Sequence, residues 1–176
     1  MNAWFRLFRH LWQASSSSRD AIPDRLAERL SGYIAASELR HTGEIRICIE
    51  GALPVSYLWR HARGTPIGTV VRQRAMTWFG RLRIWDTAGN NGVLIYLMMA
   101  EHAIELVADR GLNDRVGEHE WSGIVERLAL HLGSQDFEGG ITAALEEVSA
   151  LLVKHFPASR GAGGPGNELP DVVVRV

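Results

Sequence analysis

Residues 93–99, Val-Leu-Ile-Tyr-Leu-Met-Met, are apolar at almost every position and on both alternating faces. The run is far too short to cross a bilayer as a helix, and its length and β-branched and aromatic members read as a strand. A strand with no polar face belongs in the middle of a sheet covered on both sides. That requirement rules out a helical bundle and an open, one-sided sheet.

The flanking segments supply the covers. Glu44-Ile45-Arg46-Ile47-Cys48-Ile49-Glu50 alternates with period two and reads as a strand covered well on one face and poorly on the other. Ile67, Val70, Val71, Ala75, Trp78, Phe79 and Leu82 recur at helical spacing between the two strands. A strand–helix–strand unit of this kind crosses over right-handed and makes its strands parallel. Only Glu101 and His102 separate the central run from Ala103-Ile104-Glu105-Leu106-Val107-Ala108, so a third strand folds back antiparallel. An earlier helix opens at Pro23 and Asp24 and carries Leu26, Leu30, Tyr33 and Ile34 on one face. Two later helices carry Trp121 to Leu132 and Phe137 to Leu152, the second stopped by Pro157. Residues 51–66 read as a loop punctuated by Pro54, Gly64 and Pro66. The expectation is an α/β fold of order α-β-α-β-β-α-α, with a mixed sheet of at least three strands and helices on both faces. The domain spans residues 20–156. A glycine-rich flexible tail follows at 157–176, and a serine-rich linker precedes it at 14–19.

Composition narrows the function classes. The chain has 176 residues, 46% hydrophobic and 22% charged, with a formal net charge of -1. No global pull toward nucleic acid follows from that balance. Cys48 is the single cysteine, which excludes an internal disulfide and a multi-cysteine zinc site and fits a reducing compartment. Its place in a strand reads as packing rather than as a nucleophile. Gly139-Gly140 matches neither a phosphate-binding loop nor a dinucleotide fingerprint, and no histidine pair has metalloprotease spacing. His119-Glu120 reads as helix-end chemistry, and Trp78, Trp85 and Trp121 as core or rim packing.

The strand directions carry a functional expectation. The two parallel strands begin at the edge of the sheet where the antiparallel strand ends. Three polar segments should meet there: His41-Thr42-Gly43-Glu44, Asp86 with Asn90-Asn91-Gly92, and Asp109-Arg110-Gly111. Glu44, Asp86, Asn90, Asn91 and Asp109 offer oxygen donors suited to a hard cation such as calcium or magnesium, with Thr42 and Arg110 beside them. The same residue types also build ordinary turns.

Several of these pieces together resemble the TPM domain family: Thr42-Gly43-Glu44-Ile45, Asn90-Asn91-Gly92-Val93-Leu94-Ile95, Val107-Ala108-Asp109-Arg110-Gly111-Leu112 and Phe137-Glu138-Gly139-Gly140-Ile141. The family includes a plant thylakoid-lumen phosphatase, a photosystem II repair protein and a nematode acetylcholine-receptor regulator. Leu82-Arg83-Ile84-Trp85-Asp86-Thr87 and Asn167-Glu168-Leu169-Pro170-Asp171 are similar to a short bacterial subgroup. The resemblance implies an α/β sandwich and, for some members, divalent-cation binding and weak acid phosphatase activity. The chain departs from the family in having Asn90 where Asp is common, and Asp109-Arg110 where Gly-Tyr is common.

The N-terminus is basic and aromatic. Arg6, Arg9 and Arg19 occur before the first acid, Asp20, and no signal-peptide pattern is present. In residues 1–13, Trp4, Phe8, Leu11 and Trp12 share one helical face, with Phe5 near it and Arg6 and Arg9 off it. That arrangement predicts an amphipathic helix on an anionic membrane, or the same face docked on the domain. The functional expectation is a non-catalytic accessory or quality-control domain that binds an unidentified protein partner. Its expected place is cytoplasmic, with peripheral contact at the inner membrane face. The alternative is a metal-dependent phosphatase.

Overall fold

The computed structural model describes Ser18 and residues 22–158 and 168–176. The N-terminal segment expected to be an amphipathic helix lies outside these residues. Helix α1 spans Asp24–Glu38, strand β1 Ile45–Glu50, α2 Val55–Ala62, α3 Ile67–Arg81, β2 Val93–Met98 and β3 Ala103–Ala108. Then come α4 at Arg110–Asn113, α5 at Glu118–Gly133, α6 at Phe137–His155 and β4 at Val174–Arg175. The sheet has the order β3-β2-β1-β4. β1 runs parallel to β2, with Ile45 opposite Val93 and Glu50 opposite Met98, and β3 is antiparallel to β2. The apolar run therefore sits inside a mixed sheet, as its two-sided hydrophobicity requires.

Each face of the sheet has its own core. Ile45, Ile47, Ile49, Val93, Ile95 and Leu97 pack with α1, α5 and α6. Cys48, Leu94, Tyr96, Met98 and Val107 pack with α2 and α3. Full burial of one such aliphatic side chain is worth about 1.5–3 kcal/mol, so the two layers are the main stabilising term.

Four local expectations are revised. β1 is buried at all six positions, so Arg46 and Glu50 lie under cover rather than on a poorly covered face. Residues 55–62, read as loop, form α2: Pro54 sets its entry, and Tyr57 and Leu58 anchor it to the second core. The β2–β3 turn uses four residues, 99–102. His102 takes the left-handed conformation (φ 50) that a shorter turn would have required of a glycine. Finally, residues 168–176, read as part of a loose tail, lie along β1. Val176 accepts from the Gly51 amide at 2.8 Å and donates to Ile49 at 2.9 Å, and Val173 is buried. These pairings cover the outer edge of β1 at its C-terminal end, which would otherwise expose unpaired backbone groups. At the other end of the chain, Ser18 is buried and its carbonyl accepts from Ile22 at 3.0 Å.

Candidate functional site

The edge where β1 and β2 begin and β3 ends is built on backbone contacts. The Asp109 amide donates to Gly92 O at 2.8 Å, and the Val93 amide donates to Glu44 O at 2.8 Å. Gly111 packs against the loop before β2: a Cβ there would lie 2.6 Å from Asn90 O and 2.7 Å from Gly89 O. Only glycine permits that approach. Asn90 itself has φ 47, a left-handed conformation that asparagine tolerates better than most residues.

Within this frame the candidate residues divide. Asn91 is fully buried and donates through Nδ2 to Thr42 Oγ1 at 3.3 Å, while its own amide donates to Thr87 Oγ1. Thr42 is tied in turn to the end of α6, its amide donating to Phe156 O at 2.9 Å. Asp109 caps α4, with Oδ1 accepting from the Arg110 amide at 2.7 Å. Thr42, Asn90, Asn91 and Asp109 thus belong to one connected edge, and Arg110 is exposed beside it. Asp86 does not join them through its carboxylate, which pairs with Arg83. Glu44 turns to the α3 side of the sheet and accepts from the amides of Glu168 and Leu169 at 3.0 and 3.3 Å. Burial holds its carboxyl above the usual range against those two bonds.

Among the described residues, three buried polar atoms without hydrogen-bond partners lie at this edge: Asn91 Oδ1, Asp109 Oδ2 and His41 Nε2. His41 Nδ1 donates to Gly43 O at 2.9 Å, and burial lowers its pKa to about 4. Each unpaired buried atom costs about 1–3 kcal/mol, so such a concentration invites a ligand or water. Oxygens from Asn91 and Asp109 fit a hard cation. No three His, Cys, Asp or Glu side chains gather as a metal-holding group among the described residues.

Sequence reasoning missed two charged clusters. Glu50 receives Arg74 Nε at 2.8 Å and Nη2 at 2.5 Å, Trp78 Nε1 at 2.9 Å and the Tyr96 hydroxyl at 2.7 Å. Arg74 also stacks over the rings of Tyr57 and Trp78. This network is fully hydrogen-bonded and faces the second core, which marks it as structural. Cys48 lies beside it, fully buried, its thiol pKa pushed up by desolvation. The second cluster joins Glu38, Glu44, Arg46 and Asp171. Glu38 Oε1 accepts from the Ile45 amide at 2.9 Å. Burial, then the nearby Glu44 and Asp171 carboxylates, raise its pKa to about 9. The signal was charge at three of the four alternate positions 44, 46, 48 and 50, in a strand paired with a two-faced apolar one.

A mixed sheet between two helical layers, with a polar loop edge gathered from β1, β2 and β3, defines an α/β domain of the TPM type. The TPM domain profile matches residues 18–151, and the chain belongs to that family. The NMR structure of BA42 protein from the psychrophilic bacterium Bizionia argentinensis is similar, with a TM-score of 0.71 at 24% identity. The match covers 87% of this chain and 94% of that one. No curated protein matches the sequence.

Proposed function

We propose that this TPM domain is a non-catalytic accessory module that binds a protein partner and holds one divalent cation, calcium or magnesium, weakly at the β1–β2–β3 edge. The observation that carries the reading is how the acids of that edge are already engaged. Glu44 is held by the C-terminal segment, Asp86 by Arg83, and Asp109 Oδ1 by the cap of α4. Asp109 Oδ2 and Asn91 Oδ1 remain as buried oxygens without partners. One carboxylate and one amide suit an electrostatically weak oxygen site, in the range of about 10⁻⁴–10⁻³ M for sites of low charge. A phosphatase would need a positioned nucleophile as well as charge stabilisation, and among the described residues no side chain at this edge is placed as one.

The basic aromatic segment at residues 1–13 supports a place at an anionic membrane face on the cytoplasmic side. The test of the reading pairs two measurements on the full-length protein. Calcium and magnesium titrations followed by NMR should shift the amides of residues 90–92 and 109–111 at millimolar cation, and Asp109→Ala should abolish the shift. Absence of any shift would remove the cation. Cation-dependent hydrolysis of a phosphomonoester, lost in Asp109→Ala, would overturn the non-catalytic reading.

A further inference from the structure

The sheet has two edges, and they are treated differently. One is β4, two residues long. The other is β3, six residues long. Because Asp109 N–H donates to Gly92 O, the odd-numbered residues of β3 turn their backbone groups toward β2. The backbone groups of Ile104, Leu106 and Ala108 therefore point outward. Among the described residues one of them is occupied: the Leu106 carbonyl accepts from Arg72 Nη1 at 2.7 Å.

Natural edge strands are usually blunted by a charge, a proline or a bulge. β3 has none of these on the side facing α5. Its single charged residue, Glu105, is paired with Arg72 of α3. The other side offers Ile104, Leu106 and Ala108 as the floor of a groove of ≈ 760 Å³, whose far wall is α5 with Trp121 and Val125. Trp121 Nε1 is buried there without a hydrogen-bond partner. The groove's charged lining is acidic on balance: Arg72 is paired with Glu105, which leaves Glu118 and Glu126, both exposed on α5, and Arg127 next to Glu126 is held by Glu147.

We infer that the outer edge of β3 is a docking site for an extended peptide segment that adds to the sheet as a fifth strand. Its alternate side chains are apolar and face α5, and its flanking residues are lysine or arginine. The unpaired backbone groups supply affinity, and the apolar floor with its acidic rim supplies selectivity. Charge complementarity separates this occupant from a second copy of the chain. Pairing two β3 edges would set Glu118 and Glu126 of each copy against the same acids of the other. The inference rests on the reading of the chain as a binding module.

The experiment uses full-length protein and three labelled peptides, with anisotropy for affinity and NMR for location. One peptide has a segment alternating valine with serine and flanked by lysines, one has the same composition scrambled, and one carries glutamate in place of lysine. The alternating basic peptide should bind at least about tenfold tighter than the other two. The amides of Ile104, Leu106 and Ala108 and the Trp121 indole should shift and become protected from exchange. Glu118→Gln with Glu126→Gln, both exposed, should weaken binding about fivefold at low salt and leave the fold intact. Equal binding of the three peptides, or shifts confined to β4, would overturn the proposal. Protection of β3 that rises with protein concentration alone would also overturn it, in favour of self-association. None of these outcomes bears on phosphomonoester hydrolysis, so failure here is distinct from failure of the non-catalytic reading.

Discussion

Arg74 of α3 grips Glu50 at the end of β1 through Nε at 2.8 Å and Nη2 at 2.5 Å, with both side chains at least nine-tenths buried. Trp78 and Tyr96 complete the carboxylate's shell. Removing one partner leaves the other buried and uncompensated. Glu50→Ala should therefore cost about 3–5 kcal/mol. For a chain of this size that lowers Tm by on the order of 10 °C. Tyr96→Phe removes one bond and should cost about 1–3 kcal/mol. Thermal unfolding of the two variants checks the order, and an Glu50→Ala loss no larger than that of Tyr96→Phe would show that the pair is not the centre of the network.

The C-terminal segment is predicted to be part of the folded unit. Deleting residues 172–176 removes the Gly51–Val176 and Ile49–Val176 bonds and the buried Val173. Hydrogen exchange should show the Gly51 amide losing protection well before the amides of β2, which lie inside the sheet. Unchanged exchange at Gly51 would mean that another segment covers β1.

A half-buried carboxyl and a buried imidazole set opposite pH limits on stability. Glu38 has its folded pKa raised to about 9 by burial and by Glu44 and Asp171. Its folded form keeps a proton that the unfolded chain releases near pH 4.5, so its contribution is full below that pH and falls as pH rises toward 9. His41 is lowered to about 4 by burial, so its contribution is full above about 6.5 and is lost as pH falls toward 4. Denaturant unfolding from pH 4 to 9 should show stability declining on both sides. Glu38→Gln keeps an acceptor for the Ile45 amide and should flatten the alkaline decline without touching the acid one. A persistent alkaline decline in that variant would assign it to another group.

What could be read from the sequence follows burial symmetry. The 93–99 run has no polar face, so its interior place and the direction of its neighbours were legible. The meeting of Thr42, Asn91 and Asp109 follows from those directions alone, because loops at one sheet edge converge whatever their side chains do. Side-chain orientation was not legible. Glu44 looked like a member of the same edge, but its alternation with Ile45 sends it to the opposite face, where the amides of Glu168 and Leu169 wait 124 and 125 residues away. Asp86 was lost to a local partner, Arg83, three positions back. β4 was invisible for a related reason. Two residues carry no periodicity, and what holds them is the free edge of β1 rather than any pattern of their own.

Gly92 illustrates a backbone constraint that a turn signature understates. A Cβ at Gly92 would lie 2.2 Å from Ile84 O, a backbone atom that cannot swing aside. Gly92→Ala should be strongly destabilising, by about 2 kcal/mol or more, and should disturb the Asn90–Asn91 loop. Gly80, inside α3 with open space around its Cβ position, is the control. Gly80→Ala should stabilise by about 0.5–1 kcal/mol through helix propensity. Equal stability of the two variants would show that the loop before β2 yields more easily than its contacts imply.

The last prediction concerns residues 1–13. Arg6 and Arg9 are interleaved with Trp4, Phe5, Phe8, Leu11 and Trp12, and no acid precedes Asp20. Among the described residues no helix is long and apolar enough to cross a membrane, so any membrane contact by helix there would be peripheral. Each arginine near an anionic surface contributes about 1 kcal/mol, and tryptophan favours the interfacial zone. Two arginines alone give weak binding, so the aromatic side chains must insert for retention to be measurable. Full-length protein should co-sediment with vesicles containing phosphatidylserine and much less with neutral phosphatidylcholine vesicles. Trp4→Ala with Trp12→Ala should weaken retention even at low salt, whereas Arg6→Gln with Arg9→Gln should remove mainly its dependence on lipid charge. Equal retention by wild type and both double variants would sink the membrane hypothesis and leave this segment to a protein surface.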